Sequence, residues 1–201
     1  MTKNQEKAKR LVLLGLLTAV MLIMSYTPLG YLNIGPLAIT LNVIPVAIAA
    51  ISLGPVGGAV MGAVFGLTSF LQCIGVGGMS AMGAILFEIS PVLAFIQRFV
   101  PRVLMGLLAG LIYKGMSKVN KPKMACFVTG FSSAFLNTVL FMSALILLFG
   151  NTDYVKELVN GRNIIIFICS FVGINAVFEM IASTLITGAV GVALKKARLI
   201  K

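Results

Sequence analysis

Apolar residues run through this chain in long, nearly unbroken blocks, and polar residues collect between them. The blocks cover about 11–25, 38–53, 56–73, 101–113, 124–149 and 162–194. A helix needs roughly 17–25 apolar residues to cross a hydrocarbon core of about 30 Å, and most of the blocks approach that length. Strict polar–apolar alternation, the mark of a membrane barrel strand, is absent. The pattern predicts an all-α membrane protein. It is a compact bundle of six transmembrane helices with long outer loops, forming one domain over 1–201.

The breaks between blocks sharpen this. The first block follows a basic segment and has no small-x-small cleavage site after it, only Ser25-Tyr26-Thr27-Pro28, so it reads as a retained span. The connection from Tyr26 to Leu37 contains Pro and Gly yet stays apolar and aromatic, which predicts a loop folded back over protein. Gly54-Pro55 predicts a tight turn, because Pro fixes φ and Gly tolerates positive φ. The third span carries Gly58, Gly62 and Gly66, a small-x-x-x-small spacing that lets helix backbones approach closely. Residues 74–100 read as a long, partly re-entrant outer loop with helical pieces, broken by Glu88, Ser90 and Pro91 and ended by Arg98. Pro101 then suits the first turn of the fourth span. Residues 150–161 form another outer loop.

Charge fixes the orientation. The chain has 201 residues, of which 59% are hydrophobic and 10% charged, and its net charge is +11. In a soluble protein that charge would suggest nucleic acid. Here 12 of the 16 basic residues lie in three segments: Lys3, Lys7, Lys9 and Arg10; Lys114, Lys118, Lys121 and Lys123; Lys195, Lys196, Arg198 and Lys201. Six spans place all three on one side, and the positive-inside rule makes that side the cytoplasm, with both termini there. A seventh span at 81–95 would put the basic loop and tail opposite the basic N-terminus. The distribution reads as a topology signal with anionic-lipid contact, and aromatic-stacking nucleic-acid motifs are missing.

Arg98 and Arg102 stand apart from those clusters, one helical turn from each other in Gln97-Arg98-Phe99-Val100-Pro101-Arg102. A guanidinium near a bilayer interior marks a functional site by default, and its natural guest is a carboxylate or phosphate. Other polar residues also fall within spans: Thr40 and Asn42, Ser69 and Gln72, Asn137 and Thr138, and Asn175 with Glu179 on one helix face. With Tyr31 and Asn33 they can build a polar pocket open to the outside. Hydroxyls can instead bond their own helix, amides can join helices, and Glu179 can serve as an ion-pair partner for Arg102.

Catalytic machinery is not visible. The chain has no His, its three Cys are scattered, and no P-loop, nucleophile elbow, His-Glu-x-x-His or paired carboxylate motif occurs. A binding or conducting protein that is not an enzyme is expected, with no cofactor and no metal. Uphill work would draw on a partner or an ion gradient.

Particular residues resemble a known family. The stretch from Leu41 to Ala59, with its Leu53-Gly54-Pro55 turn and a Gly/Ala-rich span behind it, is similar to the substrate-binding S components of energy-coupling factor (ECF) vitamin transporters. So are Phe99 to Gly106, Leu136-Asn137-Thr138 up to Phe141, and Asn175 to Glu179. These last segments look most like the pantothenate-type members. The resemblance implies capture of a vitamin from outside, a transmembrane coupling protein, two ATPase subunits as partners, and a multi-pass place in a prokaryotic cell membrane. It implies that Arg102 and Arg98 meet the carboxylate of pantothenate, that Asn137 and Asn175 bond its amide and hydroxyls, and that Tyr31 and Phe65 cover its gem-dimethyl part. Glu179 would orient Asn175 or Arg102. The family's Ala-x-x-x-Ala contact in the first span appears here as Gly15 and Ala19, with Gly in the first place. Two alternatives stand beside this reading: an S component for another vitamin or precursor, and a stand-alone proton-coupled carrier using Glu88 or Glu179.

Overall fold

The computed structural model describes residues 3–27, 30–33, 38–118, 122–161 and 163–197. In chain order these form α1 (Lys3–Ser25), β1 (Tyr31–Asn33), β2 (Ala38–Thr40), α2 (Val43–Leu71), a 3₁₀ turn (Gln72–Ile74), α3 (Ala81–Ile89), α4 (Pro91–Lys118), α5 (Pro122–Phe149), α6 (Asp153–Val159) and α7 (Ile164–Lys196). Among the described residues, five helical stretches are long and apolar enough to cross a membrane: Asn4–Ser25, Val43–Ile74, Pro91–Lys118, Lys123–Phe149 and Asn175–Lys196. The two strands pair antiparallel, with Tyr31 opposite Thr40.

The second and third apolar blocks both lie in α2, on either side of Gly54. That residue leaves the helix at φ 78°, ψ −166°, and Pro55 starts the second half. A Cβ on Gly58 would lie 3.1 Å from the Cβ of Ala50. Eight residues of straight helix would hold these positions about 12 Å apart, so the halves fold back on each other. The second half then packs on α4 backbone to backbone. A Cβ on Gly58 would meet the Gly106 carbonyl, one on Gly62 the Arg102 carbonyl, and one on Gly66 the Cα of Phe99. The glycine spacing thus sets both the packing and the register of this pair.

The helix boundaries correct four expectations. Residues 38–42 of the second block are strand and turn, and helix begins at Val43. The segment 74–100 is mostly helix, namely α3 and the first ten residues of α4. Ser90 makes this possible: its Oγ accepts from the Leu93 N–H at 3.4 Å and its carbonyl from the Ala94 N–H at 2.9 Å, with Pro91 in the first turn. Pro101 therefore sits inside α4 and does not start a helix, and Arg98 is a mid-helix residue. The segment 150–161, expected to be loop, also contains a helix, α6, whose N-terminus is capped by Thr152.

Packing divides the bundle along its length. Leu17, Met21, Val43, Met61, Phe65 and Met105 join α1, α2 and α4 in one apolar layer. Leu86, Ala94, Phe141, Leu145 and Phe149 join α3, α4 and α5 in another, under α6. At the Gly54 end, Ile51, Tyr113, Ala125 and Cys126 form a third cluster, and the Lys195 ammonium sits 5.7 Å from the Tyr113 ring centroid. At the opposite end Ser25, which closes α1, donates its hydroxyl to Thr68 Oγ1 at 3.4 Å, and Gln72 Nε2 donates to the Ser25 carbonyl at 3.1 Å.

Candidate functional site

The polar groups of the bundle gather where α4 passes α2, α3 and α5. Arg98 and Arg102 are buried there, 7% and 4% exposed. Arg98 donates from Nη1 to Ser69 Oγ at 3.4 Å and from Nη2 to Ser80 Oγ at 3.3 Å. Gly83 leaves the space this needs, since a Cβ there would lie 3.0 Å from Nη2. Arg102 donates from Nη1 to the Arg98 carbonyl at 3.0 Å. Its guanidinium carbon stands 4.9 Å from the Phe65 ring centroid and 4.8 Å from that of Phe141, and Arg98 lies 5.2 Å from the same Phe141 ring. A cation over an aromatic face in a dry site gains about 2 kcal/mol or more. The rings and serines therefore explain how α4 carries two charges without ending at them.

Glu179 supplies the opposite charge. Its Oε1 accepts from the backbone N–H of Thr40 at 2.7 Å, which ties β2 to α7. Arg98, Arg102 and Glu179 are the only charged side chains among the buried described residues. Ionised, they leave the layer with one net positive charge. Glu88, by contrast, is exposed on α3.

The remaining sequence-derived residues fall around this layer. Phe65 is fully buried under Arg102. Asn137 is buried one helical turn before Phe141 on α5, and its Oδ1 has no partner among the described residues. Asn175 is buried one turn before Glu179 on α7. Tyr31 lies in β1 opposite Thr40, but its side chain falls outside the described residues. Gly15 and Ala19 are exposed on α1, and a Cβ on Gly15 would meet nothing within 4 Å. A separate groove of about 280 Å³ beside α6, lined by Ile146, Gly150 and Val155 among others, holds none of these residues.

One residue of the layer was missed at the sequence level. Gln97 has no exposed surface, and neither atom of its amide has a partner among the described residues. An unpaired buried amide costs about 1–3 kcal/mol. The available signal was a polar residue on the buried face of an apolar helix, adjacent to Arg98.

What this layer can do chemically is hold a small anion. Two guanidinium groups share one ring with a single carboxylate beside them, and amides stand around them to bond neutral polar groups. Comparison with known proteins agrees with a solute-binding role. A 29% identical relative, the pantothenic acid transporter PanT of Lactococcus lactis subsp. cremoris (strain MG1363), aligns over 208 positions, covering 97% of this chain and 98% of its own. The pantothenate transporter PanT of Leuconostoc mesenteroides subsp. mesenteroides is 28% identical over 198 positions, covering 94% and 93%. The family model for the substrate-specific component of ECF transporters matches residues 9–191, nearly the whole length, and the chain belongs to that family.

Proposed function

We propose that this chain captures pantothenate outside a prokaryotic cell and delivers it through an ECF transporter. The observation that carries the reading is the pair of buried guanidiniums sharing the Phe141 ring. Like charges repel strongly where the dielectric is low, and one monocarboxylate would neutralise the residual positive charge of the layer. Arg102, with Arg98, would meet the ligand carboxylate. Asn137 and Asn175 would bond its amide and hydroxyls, and Phe65, with Tyr31 from β1, would cover its gem-dimethyl part. No bound metal or cofactor has a part in this reading.

The same reading sets the topology. The two halves of α2 count as separate crossings, which makes six. The Gly54 end, where Tyr113 meets Lys195, would face the cytoplasm with both termini, and the arginine layer would lie toward the outside. ATP would be hydrolysed by two partner ATPases, with a transmembrane coupling protein docked on the exposed face of α1 around Gly15 and Ala19. That face suits a close helix contact because Gly15 has open space above it.

Two measurements test this. Isothermal titration of the purified chain with pantothenate should show one tight site that Arg102→Ala abolishes. Unchanged affinity in that variant would refute the site. In cells carrying the complete transporter, Gly15→Leu should leave binding intact and stop uptake, whereas normal uptake would move the coupling surface elsewhere.

A further inference from the structure

Asn42 precedes α2 at the N-cap, a place where Asn usually turns its side chain back onto the helix. Here it makes no capping bond. It has no exposed surface, and neither Oδ1 nor Nδ2 has a partner among the described residues. An amide in that state has lost its water and gained nothing in return.

The packing register shows which layer holds it. The fold-back at Gly54 sets Ala50 beside Gly58, each four residues from the turn. The same symmetry sets Asn42 level with Gly66, each twelve residues from it. Gly66 packs on Phe99, and Gly62 packs on Arg102. Asn42 therefore lies at the height of Arg98 and Arg102. Its neighbour Val43 belongs to the apolar cluster that contains Phe65, the ring under Arg102.

A short chain of bonds holds it there. Glu179 Oε1 accepts the Thr40 N–H at 2.7 Å, and Thr40 Oγ1 accepts the Asn42 N–H at 3.4 Å. Thr40 pairs with Tyr31 across the strands, so its N–H bond to Glu179 anchors the β2–α2 junction to α7. Gly30 closes the other side, since a Cβ there would lie 3.0 Å from Asn42 Nδ2.

We infer that Asn42 is a ligand-contacting residue of the arginine layer, and that Glu179 is its positioning residue, acting through the Thr40 backbone. The amide offers N–H donors and a carbonyl acceptor side by side, which suits a hydroxyl or a secondary amide of the ligand. Glu179 then has a task besides balancing Arg102: it fixes the height and direction of the helix start that presents Asn42.

The inference rests on the reading that the layer binds pantothenate, and the test separates the two. The full chain is titrated with pantothenate and with three analogues: one lacking each hydroxyl, and one with the amide N-methylated. Loss of pantothenate binding in Arg102→Ala checks the underlying reading by itself. Asn42→Ala should weaken pantothenate about 10- to 100-fold. One analogue, lacking the group that Asn42 meets, should bind wild type and Asn42→Ala equally. If every ligand weakens by the same factor, or none weakens, Asn42 is not a contact. Should Asn42→Ala not fold, Asn42→Ser carries the same comparison. Glu179→Gln keeps the acceptor oxygen and should preserve the analogue discrimination. Glu179→Leu and Thr40→Pro, which remove acceptor and donor, should erase it. Discrimination that survives both of these would overturn the positioning role.

Discussion

Two sets of buried polar residues in this bundle follow opposite rules. Along the α5–α7 interface three hydroxyls are satisfied by backbone, while Thr187 Oγ1 has no partner among the described residues. Thr129 Oγ1 donates to the Ala125 carbonyl at 2.7 Å, Ser133 Oγ to the Thr129 carbonyl at 2.8 Å, and Ser183 Oγ across to the Gly130 carbonyl at 2.8 Å. In the arginine layer the amides of Asn42 and Gln97 have no partner among the described residues, and Asn137 Oδ1 has none. The first set fastens helices together. The second leaves hydrogen-bonding capacity unused inside the protein, at a cost of about 1–3 kcal/mol per group. On the proposed reading, the amides of the arginine layer await a guest, whereas the bonded hydroxyls only fasten helices.

Substitutions can break or sharpen this contrast. The largest effect is expected from Gly62→Leu, because its side chain would grow into the Arg102 carbonyl and part α2 from α4. A loss of about 3 kcal/mol or more is expected, read as collapse of the monodisperse peak in size-exclusion chromatography. A normal peak with normal binding would mean that the glycine contact does not set the site. Gln97→Leu should act in two directions. Removing an unsatisfied amide should raise the ligand-free melting temperature, while pantothenate affinity falls about tenfold. A lower melting temperature would place Gln97 with the packing residues. The smallest effect belongs to Ser183→Ala. It should lose roughly 0.5–1 kcal/mol of stability and leave affinity untouched, as a fluorescence melt and a titration can show together. Weakened binding there would erase the distinction.

Much of this was legible in the sequence, for stated reasons. The apolar blocks foretold α1, α5 and α7 to within a few residues apart from the polar start of α1, because backbone polar groups in lipid must pair within helices or closed barrels and the blocks lack barrel alternation. Gly58, Gly62 and Gly66 foretold a close helix contact, and Gly54-Pro55 foretold the turn that splits α2. The i, i+4 spacing of Asn175 and Glu179 foretold a shared face, and both are buried.

The failures share one cause. Arg98 reads in the sequence as a helix end, so 74–100 reads as a loop with helical pieces and Pro101 as a helix start. Arg98 instead stays within α4 because Ser69, Ser80 and Phe141 receive its guanidinium, and none of these is a sequence neighbour. The partner of Glu179 was hidden in the same way. It is a backbone N–H on Thr40, 139 residues away, and no side-chain pattern encodes it. Gln97 stood beside the arginines, but its burial without a partner is visible only in three dimensions.

The central claim is that the layer holds a carboxylate between its two arginines. The most direct measurement is a titration cycle with pantothenate and its alcohol analogue, in which the carboxylate is replaced by a hydroxymethyl group, against wild type and Arg102→Ala. A charged, desolvated pair couples by about 2–5 kcal/mol, so wild type should prefer pantothenate by a factor of about 30 or more, and the variant should lose that preference. Equal preference for the carboxylate in both proteins would contradict the account.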